Sequence, residues 1–529
     1  MLKKRRRAAH LRKCHSMLCH QRAFASSAVE RKAADRKLRE FESDLLQLTR
    51  VERGKLIDSG ITGTHIHYAF SFDVARWLAR KVPGAVSIDW TELPDSERLD
   101  DLLRNILRPA EDEYFDSGYV STRDWMDIAR AGNTGTDFDW LMAQLDVGDR
   151  TIWRQLYDAV ELPLVWRLEQ SRFSRSRNVF RARALSVRKC NLRPRPANVK
   201  QAIQQPLVSI QKQTKSRGAA LIDVAMAALA TRHRETYHFN FANPDEVYLA
   251  DAGEGVCIAV FGLRPEYRFP LECTLGYLIL SNGVPIGYGG ASALFRQVNT
   301  GINIFNEYRG SEAAFLWVQV MRVYHALTGC TRFIANAYQL GDGNSEALQS
   351  GAFWFYYRLG YRPVVDDIRR LAVAEMTKRR HDPKHRSNNK TLRILASCDM
   401  HLVLPAAKQS DLFDEEWLTT SSMLATRVIG QAGSETRKAS ASKVMQQVAR
   451  DLGVRSLANW SANERAAFAG LAPFIAAADA SNWPAAAKQI ARKTIRAKGG
   501  KAEAFYARLM GQNDQFLQSL REACRREDG

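Results

Sequence analysis

The stretch LGYLILSNGVPIGYGGASALF (residues 275–295) predicts a β-hairpin near the middle of the chain. Two runs rich in aliphatic and aromatic residues flank Asn282-Gly283, a dipeptide that favours the tight turns of hairpins because both residues tolerate positive φ. The wider stretch from Cys273 to Phe295 is uncharged, but five glycines, a proline and the turn interrupt it. We therefore interpret it as two strands and not as a membrane-spanning helix.

The sequence after the hairpin predicts alternating strands and helices. A strand-like run, TGINIFNEY (300–308), precedes a helix that starts at Ser311 and is apolar on nearly all sides. Gly329 ends this helix, TRFIANAY (331–338) predicts the next strand, and SGAFWFYYRLGYRPV (350–364) predicts an aromatic helix followed by a strand. A helix without a broad polar face is expected to be buried against a sheet.

Two segments in this region resemble the GNAT superfamily of acyl-CoA-dependent N-acetyltransferases. EYRGSEAAFLWVQVM (307–321) is similar to the superfamily's acyl-CoA pyrophosphate loop and helix, and FWFYYRLGYRPV (353–364) is similar to its closing segment. The resemblance covers residues 236–405, so most of the 529-residue chain has no counterpart in it. It implies an α+β fold class: a GNAT-like mixed β-sheet with packed helices in the centre, flanked by N-terminal and C-terminal helical regions.

The resemblance also implies an activity, the acyl-CoA-dependent acylation of an amine on a small molecule or a protein. The implied cofactor is acetyl-CoA or another acyl-CoA. Tyr356 would protonate the departing thiolate and Glu307 would be the base for the amine, which are general acid and base roles. The residues implied in acyl-CoA binding are Ile304, Phe305, Asn306, Arg309, Gly310, Ser311, Glu312, Ala313, Ala314 and Asn344.

Two positions depart from the superfamily's pattern. Glu312 stands where the pyrophosphate loop usually has a glycine, and an anion in the first turn of a helix satisfies the helix dipole itself and repels a phosphate. Gln349 stands where an asparagine usually opens the aromatic helix, so Asn344 is the candidate replacement. An alternative function is therefore a catalytically inactive GNAT-like scaffold that binds nucleic acid or an acidic protein partner.

Charge is distributed unevenly along the chain. The formal net charge is +20, from 77 basic and 57 acidic residues, which favours a polyanionic partner. Residues 1–40 carry 13 Lys and Arg against 3 acids, residues 41–169 carry 14 against 24, and residues 170–222 carry 13 and no acid. Nucleic acid is a candidate partner through segments 1–40 and 170–222. The other interpretation of the second segment is that it covers the acidic region by charge complementarity.

These charges and the helix-breaking residues divide the chain into five expected regions. They are a basic, disordered arm (1–40), an acidic helical region (41–169), a basic connecting segment (170–235), the GNAT-like domain (236–405) and a C-terminal helical domain (406–529). Within the last region, Ser461 and Glu464 have the spacing of a capping box at the start of a helix.

Other patterns predict no further chemistry. Eight scattered cysteines indicate a reducing compartment, so we expect a cytoplasmic location, and no apolar run is long enough for a membrane span. Cys14-His15 and Cys19-His20 lack a matching ligand pair downstream, so no metal site is expected. We interpret KRRHDPKHR (378–386) as a solvated loop rather than as a phosphate-binding patch.

Overall fold

The computed structural model describes residues 7–93, 97–117, 119–181, 185–188, 192–310, 312–408 and 411–528. Helices combine with two β-sheets, so the predicted α+β class is confirmed. The chain forms two compact units, each assembled from three segments. Unit 1 comprises residues 1–189, 220–241 and 281–285, and unit 2 comprises residues 190–219, 242–280 and 286–529.

The secondary structure is dense along the chain. From residue 8 to residue 240 the elements are α1 (Ala8–Ala23), α2 (Ala28–Leu46), α3 (Arg50–Gly54), β1 (His65–Tyr68), α4 (Phe72–Lys81), β2 (Val86–Ile88), α5 (Glu97–Arg104), α6 (Asp112–Phe115), α7 (Thr122–Ala129), α8 (Asp137–Leu145), α9 (Arg150–Val160), β3 (Leu164–Arg167), α10 (Val199–Gln204), β4 (Ser209–Lys212), α11 (Lys215–Ala230) and α12 (Tyr237–Asn240).

The second half contains most of the strands. From residue 242 onward the elements are β5 (Ala242–Gly253), β6 (Val256–Leu263), β7 (Cys273–Ser281), β8 (Val284–Leu294), β9 (Gln297–Thr300), β10 (Asn303–Ile304), α13 (Ala313–Thr328), β11 (Arg332–Ala335), α14 (Ala337–Leu340), α15 (Ser345–Ser350), α16 (Ala352–Arg358), β12 (Arg362–Pro363), α17 (Asp366–His381), α18 (Asn389–Ala396), β13 (Met400–Val403), α19 (Glu415–Gln431), α20 (Arg437–Asp451), α21 (Ala462–Ala477), α22 (Ala485–Lys498), α23 (Glu503–Met510) and α24 (Asp514–Asp528).

Unit 1 contains a three-stranded antiparallel sheet that the sequence did not predict. Its strand order is β1-β3-β2, and Trp166 at its centre is fully buried. We expected a helical region between residues 41 and 169, in which residues 64–67 were a possible strand. The strands have three or four residues each, which is too short for a clear period-two pattern.

The basic arm is helical, which corrects the expectation of a disordered segment. α1 and α2 bury apolar residues along one side, among them Leu18 and Leu38. Arg22 is only 2% exposed and donates hydrogen bonds to the carbonyls of Arg175 at 3.2 Å and Ser176 at 2.7 Å. Arg22 also lies 3.9 Å from the carboxylate of Asp35, so the carbonyls and this acid together allow the cation to be buried. Residues 1–6 of the arm lie outside the described residues.

Cations of the connecting segment that follows Glu169 also make contacts within unit 1. Arg177 lies 3.9 Å from the carboxylate of Glu42, an ion pair with the acidic region. The guanidiniums of Arg175 and Arg177 also donate to the carbonyls of Ser59 and Arg39, at 2.7 and 3.1 Å. Main-chain carbonyls therefore accept hydrogen bonds from some of these cations. From the sequence we had expected their partner to be either nucleic acid or the acidic region.

Unit 2 is built on a ten-stranded mixed sheet. The strand order is β12-β13-β11-β9-β8-β7-β6-β5-β4, and β10 pairs with β8 beside this path. The predicted hairpin is confirmed: β7 and β8 are joined at Asn282 and Gly283, whose φ angles are 49° and 80°. The predicted apolar helix is also confirmed as α13, which is almost entirely buried and ends at Gly329 with φ 74°.

The C-terminal helices of unit 2 are anchored to its sheet by four buried charges, the Glu246 cluster: Glu246, Arg268, Lys498 and Glu503. Arg268 donates to Glu246 at 2.8 Å and lies 3.6 Å from Glu503, while Lys498 pairs with Glu503. Main-chain N–H groups of α23 donate to Glu246 as well. The predicted capping box at Ser461 and Glu464 starts α21.

Candidate active site

The candidate site begins where two parallel strands of unit 2 separate. β9 and β11 pair over three positions, from Arg332 opposite Gln297 to Ile334 opposite Asn299. β9 and β10 then continue along β8 in one unbroken register, whereas β11 ends at Ala335 and leads into α14. The strands therefore part at Thr300 and Gly301, and we call this place the strand split.

The side chain of Gln339, from α14, fills the strand split. Its amide nitrogen donates to the carbonyl of Thr300 at 3.0 Å, and its amide oxygen accepts from the N–H of Gly301 at 3.2 Å. A neighbouring strand would make the same two bonds with its own main chain. A Cβ atom on Gly301 would lie 2.5 Å from the Gln339 side chain, so only glycine leaves room for this arrangement.

Tyr356, from α16, lies beside the strand split. Its ring is 4% exposed, and its hydroxyl is 3.5 Å from the Gln339 side-chain amide. Burial raises the pKa of Tyr356, and a hydrogen bond with the main chain of Ile302 only partly opposes that effect. The phenol is therefore protonated near neutral pH and is available as a proton donor. Of the remaining rings of the aromatic run, Phe353, Trp354 and Tyr357 are buried in the core and Phe355 is half-buried.

Glu312 stands immediately before α13 and is bound by Arg193. The Arg193 N–H donates to its carboxylate at 2.8 Å, and the guanidinium of Arg193 lies 3.3 Å from it. Both residues are almost completely buried, and Arg193 also stacks over the ring of Phe315 at 4.9 Å. The carboxylate is therefore neutralised by the chain itself at the end of the helix where a phosphate was expected. Ser311 lies outside the described residues.

The other residues of the expected pyrophosphate loop are closer to solvent. Arg309 is half-exposed, donates to the carbonyl of Ile304 at 3.2 Å and pairs with Glu346 at 2.7 Å. Gly310 is exposed, and a Cβ atom there would meet nothing within 4 Å. Two further loop residues, Ala313 and Ala314, form the half-buried first turn of α13.

The segment expected to pair with the pantetheine arm is only partly a strand. Ile304 pairs with Gly287 of β8, but Asn306 already belongs to a 3₁₀ turn that ends at residue 308. Phe305 is buried and stacks on Tyr288, with ring centroids 5.5 Å apart. The Phe305 side chain therefore packs in the hydrophobic core.

The last two predicted site residues lie in different settings. Glu307 is partly exposed within the 3₁₀ turn. The side chain of Asn344 caps α15 and accepts from the Ala347 N–H at 3.1 Å, so its observed contact is structural. The structure thus brings Tyr356 to the strand split, and places Glu312 at the start of α13 against Arg193.

A cavity of about 420 Å³ lies on the flank of α13 next to α10. Its lining includes Phe315, Gln319 and Arg322 from α13 and Gln201 from α10. Arg322 already donates to the carbonyl of Gln205 at 2.9 Å and to the Gln319 side chain at 2.8 Å. At this wall of the cavity the Arg322 guanidinium is thus already bonded to the Gln319 side chain and to the main chain.

Sequence reasoning missed Gln339 and Arg193. Gln339 follows the predicted strand at residues 331–338, but nothing in its neighbourhood distinguishes it from a turn residue. Arg193 belongs to the acid-free segment, where no periodic pattern selects one cation from the others. The available signal for Arg193 was Glu312 itself, because a carboxylate that becomes buried at the start of a helix requires a hydrogen-bond donor.

The chain matches no family model, no curated protein and no solved structure. The GNAT resemblance therefore stays a prediction. In the part of the chain that the structure describes, no three or more His, Cys, Asp or Glu residues are grouped to hold a metal ion. Within the same residues, every helix is too short or too polar to cross a membrane.

Proposed function

We propose that unit 2 is an acyl-CoA-dependent N-acyltransferase whose acceptor is an amine on a small molecule or a protein. The donor is acetyl-CoA or another acyl-CoA, which supplies an activated thioester. The observation that supports this proposal most is the strand split with the Tyr356 hydroxyl beside it. The free cysteines among the described residues suit the reducing cytoplasm in which we expect this enzyme to work.

The strand split offers main-chain hydrogen bonds to an amide-containing donor arm. Thr300 and Gly301 present a carbonyl and an N–H that now bind the Gln339 side chain. An amide of the donor has the same two groups, so it replaces Gln339 once that side chain rotates away. Thr300 and Gly301 would then hold the donor arm, and the Tyr356 hydroxyl beside them would supply the proton for its leaving thiolate.

Proton transfers complete the proposed reaction. The amine nitrogen attacks the thioester carbonyl, the new C–N bond forms and the C–S bond breaks. The leaving thiolate takes the phenol proton of Tyr356, which burial keeps in place until then. Glu307 accepts a proton from the attacking amine. The acyl group thus moves from sulfur to nitrogen, and the proton released by the amine is balanced by the one delivered to the thiolate.

Binding and turnover test different parts of this proposal. We expect calorimetry to detect acetyl-CoA binding to the full chain, and Gln339→Ala to bind it more tightly because the competing amide is gone. Tyr356→Phe should bind acetyl-CoA normally. With lysine, spermidine or a lysine-rich peptide as acceptor, its rate of CoA thiol release should be lower by about 100-fold or more. Tyr357→Phe, one residue along the same helix, is the matched control and should retain turnover.

Failure of both the wild type and Gln339→Ala to bind acetyl-CoA or CoA at millimolar concentration would contradict the proposal. Equal turnover by Tyr356→Phe and Tyr357→Phe would remove Tyr356 from the mechanism.

A second candidate function is the catalytically inactive scaffold that binds nucleic acid or an acidic protein. The Glu312–Arg193 pair favours it, because a carboxylate in that place excludes a phosphate from the start of α13. The discriminating variant is Glu312→Gly. If the chain is an enzyme that tolerates Glu312, the variant gains little affinity for acetyl-CoA. If the site was lost when Glu312 appeared, the variant binds acetyl-CoA and the wild type does not.

A further inference from the structure

Unit 2 also has a strongly basic surface, which is formed by residues that follow those of the strand split along the chain. It comprises the end of α17, the loop that follows and the start of α18, residues 376–393, and we call it the α17–α18 surface. Its sequence contains seven cations and one acid, Asp382. The cations are Lys378, Arg379, Arg380, Lys384, Arg386, Lys390 and Arg393.

The loop of this surface is fixed by an acid that lies just before it. Glu375 is 3% exposed and accepts from Lys378 at 2.7 Å, from Ser387 at 2.6 Å and from the ring of His385 at 3.0 Å. Burial would raise the pKa of Glu375, but these three hydrogen bonds outweigh it and lower the pKa to about 2. The Glu375 carboxylate thus links the end of α17 to His385 and Ser387 in the loop. The sequence predicted only a solvated loop and did not predict these contacts.

Six of the seven cations are exposed, Arg379 is half-buried, and most of them lack a carboxylate partner among the described residues. Of the seven, and within the residues that the structure describes, Lys378 alone lies within 4 Å of one. The carboxylate of Asp382 accepts the main-chain N–H of Lys384 at 2.8 Å, and in the part of the chain that the structure describes no ion pair joins it to a cation of this surface. Arg386 turns back to the carbonyls of Pro383 and His385, each at 2.8 Å.

Helix dipoles account for only part of this excess. Cations are favourable at helix C-termini, which explains those in the last turns of α17 and α18. Lys384 and Arg386 lie outside both helices, and Lys390 lies in the first turn of α18, where the dipole disfavours a cation and no acid is present.

Neighbouring guanidiniums increase the positive charge further. Burial lowers the pKa of Arg358, and the nearby charges of Arg379 and Arg195 lower it again. Like charges that repel one another destabilise the free protein, and a bound anion reduces that cost.

We propose that the α17–α18 surface binds the phosphate backbone of double-stranded nucleic acid. The exposed cations supply the charge, and the Glu375 contacts hold them in a fixed pattern. Arg379 lies over the ring of Trp354 at 5.5 Å, but that ring is 4% exposed and cannot stack on a base. Recognition therefore depends on phosphates and is independent of base sequence. This inference does not depend on acyl transfer, and either can fail alone.

The test is fluorescence anisotropy with a labelled 20-base-pair DNA duplex and the full chain, at several salt concentrations. Each phosphate contact contributes about 0.9 to the slope of log affinity against log salt concentration. The triple variant Lys384→Ala, Arg386→Ala, Lys390→Ala should flatten that slope by about 2.7 and weaken binding ~10-fold or more near 0.1 M salt. Duplexes of unrelated sequence should give the same loss.

The matched control removes three exposed cations from another helix of unit 2: Arg437→Ala, Lys438→Ala, Lys443→Ala on α20. It should leave the salt slope and the affinity unchanged, and circular dichroism should show that both triple variants are folded. The proposal is overturned if the two triple variants lose affinity equally, or if the α17–α18 variant binds as the wild type does. It is also overturned if the wild type ignores the duplex and binds polyglutamate, which would indicate an acidic protein partner.

Discussion

Replacing Lys498 by methionine should destabilise unit 2 strongly, because it removes one charge from the Glu246 cluster. Lys498 is 3% exposed, pairs with the fully buried Glu503 and donates to the carbonyl of Glu272 at 2.7 Å. Breaking a buried ion pair by removing one partner costs about 3–5 kcal/mol, since the other charge stays buried. Arg268, 3.6 Å from Glu503, remains as a weaker partner. We therefore expect a loss of about 3 kcal/mol in the free energy of unfolding.

The loss should depend on pH in a defined direction. Burial already raises the pKa of Glu503, and removal of Lys498 raises it further. A carboxyl whose pKa is higher in the folded state binds more protons there than in the unfolded chain. Its cost is therefore present above the folded pKa and disappears as pH falls toward the unfolded value of about 4.3. The variant should regain stability relative to the wild type between pH 7 and pH 5.

A double-mutant cycle provides the assay. Urea unfolding gives the stability of Lys498→Met, Glu503→Gln and the double variant, and amide hydrogen exchange in α22 and α23 reports the same region locally. Glu503→Gln should restore about 1–2 kcal/mol to Lys498→Met because it removes the unpaired charge. Purely additive losses at every pH would refute the reasoning, since they would show that the two charges do not interact.

Three further changes test other parts of the structure. Gly301→Ala should cost about 1–3 kcal/mol in unfolding free energy because its Cβ meets the Gln339 side chain at 2.5 Å; Gln339→Ala should recover most of that loss, and thermal unfolding measures both. Arg193→Leu should cost about 3 kcal/mol by leaving Glu312 buried without its partner, and the added change Glu312→Gln should recover part of it in urea unfolding. Glu375→Gln should lower the melting temperature at pH 6 but hardly at pH 2, because the low folded pKa of Glu375 gives stability that is present above its unfolded value and is lost as pH falls toward about 2.

The sequence predicted the central elements of unit 2 because their signals are local. Asn282-Gly283 sets a turn by its own φ preferences, and Gly329 ends α13 for the same reason. The contacts at the candidate site are not local. Gln339 reaches Thr300, and Arg193 reaches Glu312 across more than a hundred residues. No period or propensity encodes such pairs, so they could not be predicted from one sequence.

The same limit explains the error in the N-terminal region. Composition indicated disorder for residues 1–40 because cations are normally solvated. In the structure Arg22 is buried, lies 3.9 Å from Asp35 and donates to carbonyls that lie about 150 residues later in the chain. Charge content alone carries no information on whether a distant main chain will accept these donors.

The division of each unit into three chain segments has a consequence for protein synthesis. Unit 1 includes residues 281–285, so its first segment, which ends at residue 189, lacks a part until residue 285 has been synthesised. At about 5–20 residues per second, residues 190–285 take about 5–20 s to synthesise. During this time the apolar faces of the early helices lack their last partners, so the nascent chain is more prone to aggregation. No single cut in the gene releases either unit intact.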